Sequence, residues 1–277
     1  MTVHDDSRRT VKGQYMKLNT RIRALLNRQI PITGFDPWVF YRNLKGAPAY
    51  FSDWRRYRQL KPPPTFCLRL RNAYPVLTDR NASAGLANGH YFHQDLWAAR
   101  MIFQRRPVEH LDIGSRIDGF VAHLLTFMPV TIVDIRPLVS NIQGLTVIQD
   151  DATTLSKIKS SSVHSLSSLH VAEHFGLGRY SDPIDPEACF RFMESLQRVL
   201  APGGRLYFSV PIGRERVEFN AHRVFDPNTI LGRFSGLQLA SFSYVGDDGA
   251  LYQDTNPSLM PKSNLACGLF EFTKVME

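Results

Sequence analysis

The stretch that decides the fold is Val108-Glu109-His110-Leu111-Asp112-Ile113-Gly114-Ser115-Arg116-Ile117-Asp118-Gly119-Phe120. Its apolar run, Leu111 to Ile113, carries one carboxylate and breaks at Gly114. Beyond the break, apolar residues recur at helical spacing, at Ile117, Phe120, Val121, Leu124 and Leu125. A strand, a glycine turn and a helix together present backbone N–H groups and a helix N-terminus to a ligand. The sequence therefore predicts an α/β sheet with a ligand site at the end of this strand.

A second acid follows about 20 residues downstream, where Thr131-Ile132-Val133-Asp134 ends another apolar run. From this place a carboxylate can hold the two hydroxyls of a ribose. We therefore expect a nucleoside-bearing cofactor at the carboxyl ends of adjacent parallel strands.

From Val108 onward, apolar runs alternate with helical patterns. Seven strands are expected near residues 108–113, 130–135, 145–149, 163–169, 204–210, 237–245 and 268–275. One helix is expected over 94–104, and another over 186–200 is ended by the turn signal Pro202-Gly203-Gly204. This alternation predicts an α/β, doubly wound, mostly parallel seven-stranded Rossmann-like sheet, preceded by an N-terminal helical extension.

The net positive charge of the chain comes from its first quarter. The formal net charge is +8, and residues 1–75 hold 15 Lys+Arg against 4 Asp+Glu, a net of +11. The same segment is rich in aromatic residues and has a stiff break at Lys61-Pro62-Pro63-Pro64. We therefore expect a basic, aromatic-rich extension over residues 1–75 and an α/β domain over residues 76–277.

This extension has two interpretations. A basic amphipathic helix is expected over residues 14–30, and it can pack on the domain with a solvated face or contact an anionic membrane. Nucleic acid is disfavoured as a partner because no RNA-binding signature is present.

No run approaches the ~18–20 apolar residues of a membrane span, and three widely spaced cysteines favour reduced thiols. We expect a cytoplasmic protein that can lie peripherally at the inner face of the membrane.

The order of these elements resembles that of class I S-adenosylmethionine-dependent methyltransferases. The resemblance rests on the turn at Gly114, the acid Asp134, Asp150-Asp151-Ala152 after the third strand, and the Pro-Gly-Gly before the fifth. It covers residues 107–275 and implies S-adenosylmethionine as the cofactor. The cofactor-binding residues that it implies are Asp112, Gly114, Ser115, Asp134, Asp151, Ala152 and Ser168.

Within this resemblance, each carboxylate has an implied partner. Asp112 and the glycine loop approach the methionine part of the cofactor, Asp134 holds the ribose, and Asp151 faces the adenine amino group. Carboxylates suit hydroxyl and amine donors, and small residues let the backbone come close.

Five longer motifs indicate a particular family within this methyltransferase-like group. They are Gly89 to Asp95, Asp112 to Arg116, Ser167 to Pro183, Ser209 to Gly213 and Phe219 to Phe225. Together they look like a domain-of-unknown-function family associated with bacterial surface-polysaccharide genes, over residues 78–275. This resemblance implies a methyltransferase fold acting in surface-glycan assembly, without an established reaction.

Polar residues after the fourth and fifth strands are the candidates for catalysis. Methyl transfer to a saccharide hydroxyl is assisted by removing the hydroxyl proton, which histidine does well near neutral pH. The catalytic candidates are His170, Glu173, His174 and His222, and the substrate-binding candidates are Arg179, Asn220 and Arg223. The alternative for each is a satisfied polar side chain or a helix cap. No metal-ligand spacing stands out, so no metal site is expected.

One departure from the methyltransferase pattern favours a second hypothesis. The common loop is Asp-x-Gly-x-Gly-x-Gly, whereas this chain has Arg116 at the second glycine position. We expect Arg116 to pair with an acid, either Asp118 or the cofactor carboxylate. The sequence thus predicts an O-methyltransferase acting on a small-molecule or lipid-linked saccharide. The alternative is a non-catalytic binding or assembly protein of the glycan pathway.

Overall fold

The computed structural model describes residues 35–85 and 87–276. The chain divides into two compact units between residues 86 and 87. The basic helix expected over residues 14–30 lies outside the described residues, and the expected domain boundary near residue 75 stays a prediction.

The first unit is built around one long helix, α1 (Pro37–Gln59). Asp36 caps it, because its Oδ1 accepts hydrogen bonds from the backbone N–H groups of Trp38 at 2.8 Å and Val39 at 3.1 Å. Pro37 follows at the first helical position, where a missing N–H costs nothing. None of the residues of α1 is buried. Three short 3₁₀ turns follow at Pro64–Phe66, Leu70–Asn72 and Asp79–Asn81.

The second unit carries the sheet. Its helices are α2 (His90–Arg105), α3 (Ala122–Leu124, after a π-helical turn at Ile117–Val121), α4 (Ala188–Val199) and α5 (Pro227–Arg233). Its strands are β1 (His110–Ile113), β2 (Val130–Asp134), β3 (Leu145–Gln149), β4 (Val163–Leu169), β5 (Leu200–Ile212), β6 (Arg216–Glu218), β7 (His222–Val224), β8 (Gln238–Val245), β9 (Leu251–Tyr252) and β10 (Ala266–Thr273). Single 3₁₀ turns lie at Ala172–His174 and Pro257–Leu259.

The main sheet has the strand order β3-β2-β1-β4-β5-β10-β8-β9. The first five of these strands are parallel, and β10 runs antiparallel to both of its neighbours. The doubly wound, mostly parallel Rossmann-like sheet is therefore confirmed. The count of seven strands is wrong, because β9 pairs with the end of β8 and makes eight. A two-residue strand is too short to show an alternating pattern.

Each face of the sheet packs a separate apolar cluster. Tyr207 and Phe208 are successive residues of β5 and belong to opposite clusters, as strand geometry requires. One cluster includes Phe192 of α4, and the other includes Trp97 of α2. Helices therefore cover both faces, which explains why β5 is apolar without alternation.

Two expected boundaries are shifted in the structure. Pro202-Gly203-Gly204 lies within the residue range of β5 rather than ahead of it. The pairing between β4 and β5 jumps there from Val163–Leu200 to Ser165–Arg205, so the turn signal produces an irregularity inside the ladder. The helix before β1 starts at His90 and not near residue 94.

The strand order reverses direction between β1 and β4. The chain runs from β1 outward to β2 and β3, and then returns to place β4 on the other side of β1. Leu111 and Asp112 pair there with Leu166 and Ser167. Ligands of open α/β sheets bind in the crevice beyond such a switch point, at the carboxyl ends of the strands.

Candidate cofactor site

The loop after β1 turns at Gly114, which has a φ of +68°. A Cβ at this position would lie 3.0 Å from Cγ1 of Val171. Its backbone N–H donates to the carbonyl of Val133 on β2 at 3.1 Å. The left-handed conformation and the close approach of Val171 explain why glycine stands here.

Asp112 supports this loop from beneath. Its Oδ2 accepts from the backbone N–H of Ser115 at 3.0 Å, and its Oδ1 accepts from the hydroxyls of Ser115 at 2.6 Å and Ser167 at 2.5 Å. Ser115 Oγ in turn accepts from the N–H of Leu169 at 3.0 Å. These bonds join the β1 loop to the end of β4. Asp112 is fully buried, and desolvation raises its pKa to about 6.

The same network reaches His110, which lies inside the sheet. His110 Nε2 is 2.8 Å from Ser167 Oγ, and Nδ1 is 2.7 Å from Ser165 Oγ. Because Ser167 gives its proton to Asp112, the Nε2–H of His110 donates to Ser167 and Nδ1 accepts from Ser165. Burial lowers the pKa of His110 to about 3, so the ring is neutral.

Asp134 ends β2 at the adjacent edge of the crevice. Arg136 holds it in a fork, with Nε donating to Oδ1 at 2.9 Å and Nη2 donating to Oδ2 at 2.6 Å. The backbone N–H of Arg136 adds a third bond to Oδ1 at 2.8 Å. Burial raises the pKa of Asp134, but the donors of Arg136 outweigh it and hold the pKa below its usual value. Its side chain is 20% exposed, so a ligand can still reach it.

The other implied cofactor residues have different surroundings. Asp151 is exposed, and its Oδ1 starts a turn by accepting from the N–H and hydroxyl of Thr153, both at 2.8 Å. Ala152 is buried beside it. Ser168 is fully buried on β4, and its Oγ has no hydrogen-bond partner among the described residues.

Arg116 turns toward an acid, as expected. Its Nε lies 3.2 Å from Oδ1 of Asp118 and its Nη2 lies 3.1 Å from Oδ2. The guanidinium also lies over the ring of Tyr91, 5.0 Å from the centroid. The expected pairing with Asp118 is confirmed.

Two of the candidate catalytic histidines share one buried carboxylate. His170 Nδ1 lies 2.7 Å from Oε1 of Glu173, and His174 Nε2 lies 3.8 Å from the same oxygen. Burial raises the pKa of Glu173 and lowers the pKa of His174. His170 has a φ of +56°, in the left-handed region that residues other than glycine rarely adopt.

His174 has a defined protonation pattern. Its Nδ1 lies 2.7 Å from the carbonyl oxygen of Ala221, which can only accept, so Nδ1 carries the proton. Arg179 Nη1 donates to the same carbonyl at 3.1 Å, and its 3.4 Å separation from His174 Nδ1 is an approach of two donors. In the neutral ring, the second nitrogen, Nε2, therefore carries the lone pair.

The candidate substrate-binding residues form hydrogen bonds between the β6–β7 hairpin and the segment after β4. Arg223 donates to the carbonyls of Phe175 at 2.6 Å and Pro186 at 3.3 Å, and Asn220 donates to the carbonyl of Leu177 at 3.4 Å. With Arg179, they join the β6–β7 hairpin to the segment after β4. His222 lies in this hairpin, and its Nε2 is 3.6 Å from Oε2 of Glu218.

Two further residues of the site, Arg136 and Tyr180, were not expected from the sequence. Arg136 lies over the ring of Tyr180, 5.1 Å from the centroid, and the edge of Tyr180 meets His174 with centroids 5.8 Å apart. These contacts connect Asp134 to His174 across the crevice. The only local signal was that Arg136 follows Asp134 by two positions. This spacing permits the two-point ion pair but does not by itself predict it.

Across residues 35–85 and 87–276, no helix combines the length and the apolarity that crossing a membrane requires.

A family model described as "Caenorhabditis protein of unknown function, DUF268" matches residues 136–256, less than half of the chain. The curated proteins contain no match to this chain.

Among solved structures, the chain is similar to a number of methyltransferases, including three with the following values. The Burkholderia thailandensis 1,6-didemethyltoxoflavin-N1-methyltransferase, with bound S-adenosylhomocysteine, is 16% identical over 66% of this chain and 79% of that one, with a TM-score of 0.47. The N-methyltransferase NodS from Bradyrhizobium japonicum WM9, in complex with S-adenosylhomocysteine, is 15% identical over 67% and 88%, with a TM-score of 0.46. A TehB-like SAM-dependent methyltransferase from Corynebacterium glutamicum is 15% identical over 64% and 86%, with a TM-score of 0.42. These scores lie below 0.5, so the fold class stated above rests on the strand order.

Proposed function

We propose that this chain binds S-adenosylmethionine at the switch point between β1 and β4 and transfers its methyl group to a saccharide hydroxyl. One observation carries the proposal. The Ser115 hydroxyl joins the glycine loop of β1 to the N–H of Leu169 at the end of β4, and Asp134 stands beside them on β2. A glycine turn and an acid on the adjacent strand are the two features that a nucleoside-bearing cofactor requires at this place.

The residues at the crevice fit this cofactor. Oδ2 of Asp134 accepts one hydrogen bond from Arg136 and keeps a lone pair for a ribose hydroxyl. Asp151 is exposed and can accept from the adenine amino group. Gly114 has no side chain to block the approach of the methionine part. Asp112 is fully buried, so it shapes the loop and its direct contact with the cofactor stays a prediction.

Bound S-adenosylmethionine would supply an electrophilic methyl group. A hydroxyl acceptor then has to lose its proton as the methyl group passes from sulfur to its oxygen, and we propose His174 Nε2 as the base that takes this proton. Burial lowers the pKa of His174, which favours the neutral ring, and because Nδ1 donates to Ala221, Nε2 is then the basic nitrogen. The imidazolium formed would lie 3.8 Å from Glu173 Oε1, which stabilises its charge.

The saccharide acceptor and the role in surface-polysaccharide assembly rest on the motifs of residues 78–275. A sugar hydroxyl needs a nearby proton acceptor, and His174 supplies one. The competing function is a non-catalytic binding or assembly protein of the same pathway, which would use the crevice without a cofactor.

Calorimetric titration of the full chain with S-adenosylmethionine and S-adenosylhomocysteine tests the proposal. We expect saturable binding of one molecule per chain. ATP is the control ligand, because it shares the adenosine but carries phosphates in place of methionine, and it should bind more weakly. Wild-type protein that shows no binding at millimolar cofactor would refute the methyltransferase and favour the assembly protein.

A second proposal concerns α1, and we infer that it contacts an anionic membrane surface peripherally. Five of its large apolar or aromatic side chains are exposed, namely Phe40, Tyr41, Leu44, Phe51 and Tyr57. Arg55, Arg56 and Arg58 are exposed on its last turns. Interfacial aromatics and basic residues together favour such a surface, and a lipid-linked saccharide would make this placement useful.

Co-sedimentation with vesicles that contain anionic lipid tests this contact. Because a basic residue near such a surface contributes ~1 kcal/mol, the double replacement Arg55→Gln and Arg58→Gln should weaken binding by about 30-fold. Binding of the wild type should fall as salt is raised. The matched control replaces two exposed arginines of the second unit, Arg100 and Arg214, by glutamine. An equal loss of vesicle binding in both double variants, or no binding of the wild type at low salt, would contradict this proposal. The exposed face of α1 would then contact only solvent.

A further inference from the structure

Three side chains that commonly bind metals meet on the α2 face of the sheet. They come from three elements: His90 is the first residue of α2, His170 follows β4, and Cys267 lies in β10. One ligand atom from each lies within 4.8 Å of the other two. His90 is 7% exposed and Cys267 is fully buried, so the cluster lies away from bulk water.

We propose that His90, His170 and Cys267 bind one Zn²⁺ ion. Two imidazoles and a thiolate form a ligand set that zinc favours over the oxygen-preferring Mg²⁺ and Ca²⁺. Zn–N and Zn–S bonds of about 2.0–2.3 Å in a tetrahedral arrangement place ligand atoms about 3.3–3.6 Å apart. The ligand atoms now lie within 4.8 Å of one another, so metal binding would draw them closer by up to about 1.5 Å.

The two imidazole rings are already at a suitable separation. Their centroids lie 5.5 Å apart. Two imidazoles on one tetrahedral zinc have centroids about 5.2 Å apart, given Zn–N bonds of about 2.0–2.1 Å. The ring planes differ by 10°, so a turn about χ2 is needed to aim both lone pairs at one point. That torsion is broad for histidine and turns at small cost.

Glu173 provides an independent reason to place a cation here. Its Oε1 lies 2.7 Å from His170 Nδ1, which fixes the ring and leaves Nε2 as the nitrogen for a metal. Its side chain is 2% exposed, and Oε2 has no hydrogen-bond partner among the described residues. A buried carboxylate behind a histidine balances the charge of a bound ion, as does a thiolate.

The backbone of His170 is held in a strained conformation that aims its ring at the cluster. Its φ of +56° is unfavourable for a residue with a Cβ. Its N–H donates to both the carbonyl oxygen of Ser209 at 2.9 Å and the hydroxyl of Ser209 at 3.1 Å, which keeps the conformation in place. Strain of this kind persists where the surrounding structure fixes it, and such positions cluster at ligand sites.

Gln94 and Ser209 form the outer shell. Ser209 Oγ donates to Gln94 Oε1 at 2.7 Å, and this amide oxygen lies 3.8 Å from Cys267 Sγ. Gln94 lies one helical turn after His90, so both face the sheet from α2. Three protein ligands leave a fourth position for water or a ligand, an arrangement typical of catalytic rather than structural zinc.

This site also divides the roles of the two neighbouring histidines. Both nitrogens of His170 would be engaged, Nδ1 with Glu173 and Nε2 with zinc, so His170 would not accept a proton from the acceptor. His174 then stays the candidate base of the proposed methyl transfer. The zinc site itself does not depend on that function, because the ion can be measured without cofactor or acceptor.

The test measures metal alone on the full chain. Protein prepared with excess Zn²⁺ and then desalted should retain about one zinc per chain by mass spectrometry. With Co²⁺ as the probe, the wild type should show a thiolate-to-cobalt charge-transfer band and the intense d–d bands of a tetrahedral site. Cys267→Ser should lose the charge-transfer band. Glu173→Gln should keep it and weaken metal affinity by about 10–100-fold.

Two other cysteines serve as controls. Cys189 is equally buried but lies in the cluster on the opposite face, and Cys67 is exposed. Cys189→Ser and Cys67→Ser should retain both the zinc and the cobalt spectrum. Wild-type protein without stoichiometric zinc and without the charge-transfer band would overturn the proposal, as would a band that survives Cys267→Ser. Neither result bears on whether S-adenosylmethionine binds.

Discussion

Asp134→Ala is expected to weaken S-adenosylmethionine binding by about 10–150-fold, which corresponds to about 1.5–3 kcal/mol. The carboxylate stands at the end of β2 beside the switch point, where it would accept from the ribose hydroxyls. Hydrogen bonds to a charged acceptor are worth more than neutral ones, so their loss falls in this range. Calorimetric titration of wild type and variant gives the ratio of Kd values directly.

Asp53→Ala is the matched control for this variant. It removes the same charge from an exposed carboxylate of the first unit that also pairs with an arginine, Arg80. It should leave the cofactor affinity unchanged. A Kd for Asp134→Ala equal to that of the wild type would show that Asp134 serves only to hold Arg136.

The unfolding free energy is expected to depend on pH through His110. Its pKa is about 3 in the folded protein and 6.5 when unfolded, so the unfolded state binds more protons between these values. The stability from the neutral buried ring is therefore complete above pH 6.5 and is lost as pH falls toward 3. At pH 5 the loss amounts to about 2 kcal/mol.

Two buried carboxyl groups change the unfolding free energy with pH in the opposite direction. A variant is therefore needed to separate the contribution of His110 from theirs. Burial raises the pKa of both Asp95 and Asp112 to about 6, and their protonation between pH 6 and 3.8 stabilises the fold. Urea unfolding at pH 7 and pH 5 should compare the wild type with His110→Gln. The stability gap between them should shrink by about 2 kcal/mol at pH 5.

His164→Gln is the control, because His164 is an exposed histidine on the neighbouring strand β4. The unfolding free energy of His164→Gln should change between the two pH values as that of the wild type does. A gap between wild type and His110→Gln that stays constant from pH 7 to pH 5 would contradict a buried, neutral His110.

Much of the fold follows from local sequence patterns. The apolar runs at 130–135, 145–149 and 163–169 match β2, β3 and β4 closely, because an alternating or buried run bounded by turn residues has few other conformations. The turn at Gly114 and the acid Asp134 also stand where the sequence places them. Strand β9 escaped prediction because two residues carry no periodicity, and Pro202-Gly203-Gly204 reads as a turn even where the ladder continues through it.

By itself, the sequence determined seven strands of the main sheet, the turn at Gly114 and the position of Asp134 at the end of β2, because these depend on residues close together in the chain. Tertiary structure alone decided which side chains meet. Arg136 reaches Tyr180 across 44 positions, and the hairpin carbonyl of Ala221 meets His174 across 47. His90, His170 and Cys267 are brought together by α2, β4 and β10, whose packing depends on the whole sheet. Sequence spacing cannot reveal such a cluster, because its members are far apart in the chain and come close only in the folded structure.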